Sequence, residues 1–277
     1  MMTQPAMIDL HPEGARHAVI WLHGLGDSGA GLAPLVDALA LPADLPVRHL
    51  LPDAPERAIT INMGYKMRGW YDIKSFDNPA DRAVESHVRE SAARIAALIE
   101  QLVAEGFAPE RIVLAGFSQG GVIASFTALR LPQQLAGLLC MSTYLAAPDA
   151  LLGEMSEAAR SLPICYMHGI YDDVVSLSMG WDAKNRLEAA GLSPSGTNTR
   201  CATRSAARSS TTSVSGCWLA SRAEPTADSQ TACRCRPFSF DMSDDPVQQG
   251  AETGALARTP DRPLPYPAPA AEPSSRP

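Results

Sequence analysis

The run Arg111-Ile-Val-Leu-Ala-Gly-Phe-Ser-Gln-Gly-Gly121 decides the fold. Ile112 to Ala115 has the length and the apolar, β-branched content of an interior strand, and Val122-Ile-Ala-Ser-Phe-Thr-Ala-Leu129 continues as an apolar, helix-compatible segment. Between them, Gly116-Phe-Ser118-Gln-Gly120 has the G-x-S-x-G pattern of a nucleophile elbow. In such a turn the serine takes a strained conformation, and Gly116 and Gly120 stay small so that strand and helix can approach. The turn lifts the Ser118 hydroxyl to a helix N-terminus and aims the Gln119 N–H at the place where an oxyanion would form.

Outward from the elbow, His17-Ala-Val-Ile-Trp-Leu-His23 reads as a buried strand running into the glycine-rich Gly24-Leu-Gly26-Asp-Ser-Gly29. That loop has neither Gly-Lys-Ser/Thr nor a spaced G-x-G-x-x-G, so an oxyanion-hole loop donating the Leu25 N–H fits it better than a phosphate cradle. A short helix is expected from Ala33 to Leu41, and a strand from Val47 to Leu51 with a stop at Pro52. Ile59 to Phe76 reads as a long irregular loop whose Met63, Met67 and Trp70 either line a pocket or cover the core. Asp81 to Glu105 has apolar residues at spacings of three and four, the pattern of a long helix. Leu135–Met141 and Leu162–His168 read as two more buried strands, the second entering Gly169-Ile-Tyr-Asp172-Asp-Val-Val175, and Ser178 to Gly191 as a helix closed by a glycine. Near-continuous apolar strands alternating with helices predict an α/β fold, a mostly parallel, doubly wound sheet. Chemistry on such sheets collects at the carboxyl ends of the strands, where Gly24–Gly26, Ser118 and Asp172 all fall.

The 277 residues could hold one large or two small domains, and 45% hydrophobic content supports a sizeable core. A net charge of −7 offers no general attraction to nucleic acid or anionic membranes, so the expected partner is a small molecule. The N-terminal residues lack a secretory signal and no apolar stretch is long enough to span a bilayer, so a cytoplasmic protein is expected; the oligomeric state stays open. Cys140 and Cys165 sit in strand-like apolar runs, and Cys201, Cys217, Cys233 and Cys235 have no histidine at zinc-site spacing. No disulfide framework and no metal are expected.

At these residues the chain resembles the phospholipase/carboxylesterase family of small α/β-hydrolases, which includes bacterial carboxylesterases and acyl-protein thioesterases. The matching stretches are Trp21-Leu-His-Gly-Leu-Gly-Asp-Ser-Gly29, Trp70-Tyr-Asp72, Gly116-Phe-Ser-Gln-Gly-Gly121 and His168-Gly-x-x-Asp172 with Val174-Val175. The resemblance implies that Ser118 is the nucleophile, Asp172 the triad acid, and the N–H groups of Leu25 and Gln119 the oxyanion hole. Met63, Trp70 and Val175 are expected at the substrate pocket. His23 and His168 shape loops rather than serve as bases. The implied reaction is hydrolysis of carboxylic esters with short to medium acyl chains, or of acyl thioesters, through a serine acyl-enzyme and without a cofactor.

The pattern then breaks. Triad order in this fold is Ser, Asp, His; the histidines are His11, His17, His23, His49, His87 and His168, so none follows Asp172. From Thr197 to Pro277 there is no Ile, Lys or His and only three Leu, a composition that cannot bury enough apolar surface to offset chain entropy. The resembling family continues instead with a strand ending Tyr-Pro-Met-x-His-Ser-Val and a closing helix. A frameshift accounts for this. Taking the third base of each codon with the first two of the next, Asn198 with Thr199 allows only Tyr or His, Thr199 with Arg200 allows Pro, Arg200 with Cys201 allows Met, Ala202 with Thr203 allows His, and the next two steps allow Ser and Val. Ser205 to Leu219 then permits an amphipathic helix. One step departs: Cys201 with Ala202 permits only Cys or Arg before that histidine. The alternative is a genuine disordered extension, with His49 or His87 recruited as base. The sequence thus predicts a hydrolase domain over residues 1–195, lacking its last strand and helix, and a frameshifted or disordered tail over 196–277. Impaired activity and poor solubility follow, or else a catalytically dead scaffold that binds ligands or partners.

Overall fold

The computed structural model describes residues 6–42, 44–77 and 81–199. Seven strands form one sheet in the order β1-β3-β2-β6-β7-β8-β9. These are β1 Met7–Leu10, β2 His17–Leu22, β3 Val47–Pro52, β6 Ile112–Phe117, β7 Gly137–Met141, β8 Ile164–Gly169 and β9 Ser195–Thr199. All neighbours run parallel except β1, which pairs antiparallel with β3.

Strand alternation divides the core in two. Ala18, Ile20, Leu22, Ile112 and Leu114 point to one face, where they pack with α2 (Glu85–Ala104), α3 (Gln119–Ala128) and α5 (Leu177–Ala189) through residues such as Ile95, Phe126 and Leu187. Val19, Trp21, Val113 and Ala115 point to the other, against Leu32 and Leu35 of α1 (Gly29–Ala38). The long helix buries Val88, Ala92, Ile95, Ile99 and Leu102, the stripe its spacing predicts. A further short helix, α4, covers Pro148–Gly153. None of the helices among the described residues is long and apolar enough to cross a membrane.

Three local expectations are corrected. The first helix begins at Gly29 rather than Ala33, because the Ser28 side chain caps it by accepting from the Gly31 N–H at 3.2 Å. Within the stretch 59–76, read as irregular, β5 (Tyr65–Arg68) pairs antiparallel with β4 (Glu56–Ile59) as a hairpin. Its tip turns through two left-handed residues, Met63 at φ 54° and Gly64 at φ 75°, and the methionine hid that turn. Finally, the sheet carries a strand at Ser195–Thr199, where composition suggested none. It pairs parallel with β8 from Cys165↔Ser195 to Gly169↔Thr199. The ladder offered by β8 outweighs the weak strand propensity of Ser-Gly-Thr-Asn-Thr, a tertiary override of local preference. The closing helix and the tail from Arg200 lie outside the described residues.

Candidate active site

The C-terminal ends of β2, β6, β7 and β8 are neighbours in a parallel array, so the loops that follow them share one rim. Ser118 joins β6 to α3 with φ 53° and ψ −118°, a backbone conformation that costs a non-glycine residue on the order of 1–3 kcal/mol. The surroundings hold it there. Its N–H donates to the Met141 carbonyl at 2.9 Å, and its own carbonyl accepts from the Thr143 hydroxyl at 2.8 Å and from the Gly121 N–H at 3.0 Å. A Cβ on Gly116 would lie 2.3 Å from the Gly120 carbonyl oxygen, and one on Gly120 would lie 2.1 Å from that of Leu22. Only glycine fits either position. Ser118 itself stays half-buried.

The loop after β2 passes directly against this turn: a Cβ on Gly24 would come 3.6 Å from the Ser118 Cβ. Hydrogen bonds from Gly26 N–H to the Arg68 carbonyl (2.8 Å) and from Asp27 N–H to the Gly24 carbonyl (3.2 Å) shape the loop without using the Leu25 N–H. Gln119 opens α3, so its N–H is one of those a helix start leaves without an intrahelical acceptor.

The side chain of Gln119 ties the two loops together through Trp70. Its Oε1 accepts the Trp70 N–H at 2.9 Å, and its Nε2 donates to the Tyr71 carbonyl at 2.8 Å. The Trp70 indole N–H donates to the His23 carbonyl at 2.8 Å, and the Ser91 hydroxyl donates to the Trp70 carbonyl. The sequence offers Trp70 as a pocket-lining or core residue of a loop and Trp70-Tyr71-Asp72 as a resemblance, but a glutamine after the elbow serine gives no sign of its distant partners.

Asp172, three residues past β8, is buried, with its side chain fully shielded. Its Oδ1 accepts the N–H groups of Val174 (3.0 Å) and Val175 (2.9 Å), while Oδ2 lies 3.7 Å from His168 Nε2. His168 Nε2 donates to the Val175 carbonyl at 2.8 Å, since a carbonyl oxygen only accepts. In the same way His23 donates from Nδ1 to the Gly24 carbonyl (2.7 Å) and accepts at Nε2 from the Ala54 N–H (2.9 Å), so both its nitrogens are engaged. Burial holds its pKa below the ordinary histidine value. His49 accepts from the Trp21 indole, and His87 Nδ1 from the Asp72 N–H. Among the described residues, no histidine ring is hydrogen-bonded to the Ser118 hydroxyl.

The residues expected at a pocket part company. Met63 stands 87% exposed at the hairpin tip, whereas Trp70 and Val175 are buried in the core, Trp70 as the bridge just described. Met67, half-buried, approaches the loop after β2: a Cβ on Gly26 would lie 3.8 Å from its sulfur.

Comparison with known proteins gives a concordant result. A family described as Phospholipase/Carboxylesterase matches residues 5–215. Acyl-protein thioesterase 1 of Cryptococcus neoformans is 36% identical over 184 residues, covering 65% of this chain and 76% of the relative. The protein of the same name from Neurospora crassa is 37% identical over 191 residues, covering 66% and 78%. Among solved structures, Arabidopsis thaliana SOBER1 superposes with a TM-score of 0.65 at 29% identity, covering 73% of this chain and 97% of that one.

Proposed function

The chain belongs to the phospholipase/carboxylesterase family and is a serine hydrolase, and from that premise we propose that Ser118 is its nucleophile, Asp172 its triad acid, and the N–H groups of Leu25 and Gln119 its oxyanion hole. The substrates in this reading are carboxylic esters with short to medium acyl chains, or acyl thioesters. The observation that carries it is the left-handed Ser118 between two glycines that tolerate no side chain, with the Gly24–Leu25 loop pressed against it. Strain of this kind persists only where the surroundings over-determine it, and here they do.

The chemistry runs through an acyl-enzyme. Ser118 Oγ attacks the acyl carbon as its proton passes to a base, and the two amides stabilise the oxyanion of the tetrahedral intermediate. Collapse breaks the bond to the alcohol or thiol, which takes the proton; water then adds by the reverse route and frees the acid. Asp172 Oδ1 accepts from the amides of its own loop, which fixes the carboxylate that would orient an imidazole. No histidine follows Asp172 in this chain, and we read the residues beyond about Gly196 as translated out of frame, the hydrolase domain being the part before them. Loss of one triad member leaves only binding and the oxyanion hole, about 10³ to 10⁴-fold over water. That missing base favours a second reading, an inactive hydrolase scaffold that binds acyl ligands.

A fluorophosphonate probe and a series of nitrophenyl esters separate the two. The enzyme reading expects slow labelling at Ser118 and slow ester turnover, both abolished by Ser118→Ala. Folded protein showing neither leaves the scaffold.

A further inference from the structure

Each amide assigned to the oxyanion hole is aimed from its own side of the site. A trans peptide is planar, so fixing a carbonyl also fixes the N–H that follows it. The Gly24 carbonyl shares its peptide plane with the Leu25 N–H, and it accepts from the His23 ring at 2.7 Å and from the Asp27 N–H at 3.2 Å. The Ser118 carbonyl shares its plane with the Gln119 N–H, and it accepts from the Thr143 hydroxyl and the Gly121 N–H. These bonds set the direction of each donor, and none of them joins the β2 loop to the elbow.

That junction is made by a third segment, Arg68-Gly69-Trp70, where the chain leaves β5. Towards Leu25 it holds the residues on either side of the donor: the Arg68 carbonyl accepts the Gly26 N–H at 2.8 Å, and the Trp70 indole N–H donates to the His23 carbonyl at 2.8 Å. Towards the elbow, the Trp70 backbone N–H donates to Gln119 Oε1 at 2.9 Å. Gly69 touches both. A Cβ there would stand 3.1 Å from Leu25 Cδ1, 3.0 Å from Ile59 Cδ1 and 3.6 Å from Gln119 Oε1, so the absent side chain lets both donor residues close on one stretch of backbone. The segment is itself anchored from behind. The Gly69 N–H donates to the Pro55 carbonyl at 3.0 Å, the Gly69 carbonyl accepts from Arg57 Nε at 2.7 Å, and the Ser91 hydroxyl donates to the Trp70 carbonyl.

We propose that Gly69 and Trp70 are positioning residues for the hydrolysis: together they set the gap between the Leu25 and Gln119 amides, so that both can donate to one oxyanion. The inference rests on the assignment of those two amides as the oxyanion hole. Gly69 acts through the Leu25 side chain, and Trp70 through the His23 carbonyl and the Gln119 side chain. One donor in such a hole is worth roughly 10²- to 10³-fold in kcat, and a misplacement of about 1 Å can cost about 10²-fold. A wrong gap is therefore felt in the chemical step and not in binding.

Two substitutions alter the segment in different ways. Gly69→Ala adds a methyl group that presses on Leu25 and breaks no hydrogen bond, whereas Trp70→Phe keeps a ring and removes the donor to His23. In the full chain, a fluorophosphonate at saturating concentration should label Ser118 about 5- to 50-fold more slowly in each variant, with the half-saturating concentration changed by less than about twofold. The ¹H–¹⁵N resonance of the Leu25 amide should move in Gly69→Ala, while that of the Ser118 amide, bonded to the Met141 carbonyl, stays. Tyr65→Ala, on β5 and 66% exposed, should alter neither reading. If Trp70→Phe does not fold, Gly69→Ala decides. An unchanged labelling rate, a loss carried by the half-saturating concentration alone, an unmoved Leu25 resonance, or an equal loss in Tyr65→Ala overturns the proposal. An unaltered chain that takes no label overturns the assignment of Ser118 instead, and the Leu25 resonance in Gly69→Ala then decides whether the segment sets the gap.

Discussion

At the elbow end of the rim, Gln119, Trp70, His23 and Ser91 close a set of buried hydrogen bonds beside Ser118, and Thr143 and Met141 hold the serine backbone from β7. At the other end, Asp172 takes two amides of its own loop and sits beside an imidazole whose second nitrogen is unpaired, next to a void floored by β9. Every brace named at the elbow comes from residues 23 to 143. The acid end also depends on the chain from Thr197 on, where the sequence loses its apolar character. One half of the site is preorganised by local rules and cross-braced; the other is left short of packing at the point where the sequence breaks.

The largest effect is expected from repairing the weak end. A gene restored to the shifted frame after Gly196 regains a histidine, and kcat/KM for a nitrophenyl ester should rise by about 10⁴-fold or more and remain dependent on Ser118. An unchanged rate ends the frameshift reading. Gly120→Val attacks the strong end instead, forcing atoms into the Leu22 carbonyl. It should cost about 3 kcal/mol or more and lower Tm by about 10 °C, which circular dichroism melts would show.

The pH profile separates the two ends more gently. Burial pushes the His49 pKa down from 6.5 to about 4, and it lowers that of His23 as well. A depressed histidine pKa means that the folded state disfavours the protonated ring. Its contribution is complete above pH 6.5 and is lost as pH falls towards 4, by about 3 kcal/mol for His49. Urea midpoints between those pH values measure the loss, and His49→Gln, which keeps an acceptor for the Trp21 indole, should flatten the profile. A flat profile in the unaltered chain contradicts the burial argument. Smallest of all, Met63→Ala at the exposed hairpin tip should change stability by less than about 0.5 kcal/mol and leave chain-length preference untouched.

What the sequence discloses follows the same division. The elbow is legible because Gly116, Ser118 and Gly120 are each forced by local geometry, and the parallel strands because their apolar runs are continuous. The hairpin around Met63 is not, since a left-handed methionine carries no residue-type signal and β4 and β5 have exposed positions along their length. Nor is β9, whose five polar or small residues form a strand only because β8 offers them a ladder. Trp70 illustrates a third limit. Composition places an aromatic residue in a loop equally well on a pocket wall or in the core, and only its hydrogen bonds to His23 and Gln119 decide for the core. The unpaired nitrogen of His168 was out of reach for the same reason, because it depends on what fails to arrive from another strand.

The backbone N–H of Ser118 is already committed to the carbonyl of Met141. As the proposed nucleophile, Ser118 therefore cannot lend its own amide to the negative charge it would create, and in the proposed hole that charge is solvated from two separate loops. Holding the nucleophile and cushioning the alkoxide become separate duties of neighbouring strands. A distortion that parted β2 from β6 by a fraction of an ångström would then slow the reaction while leaving the serine in its pose.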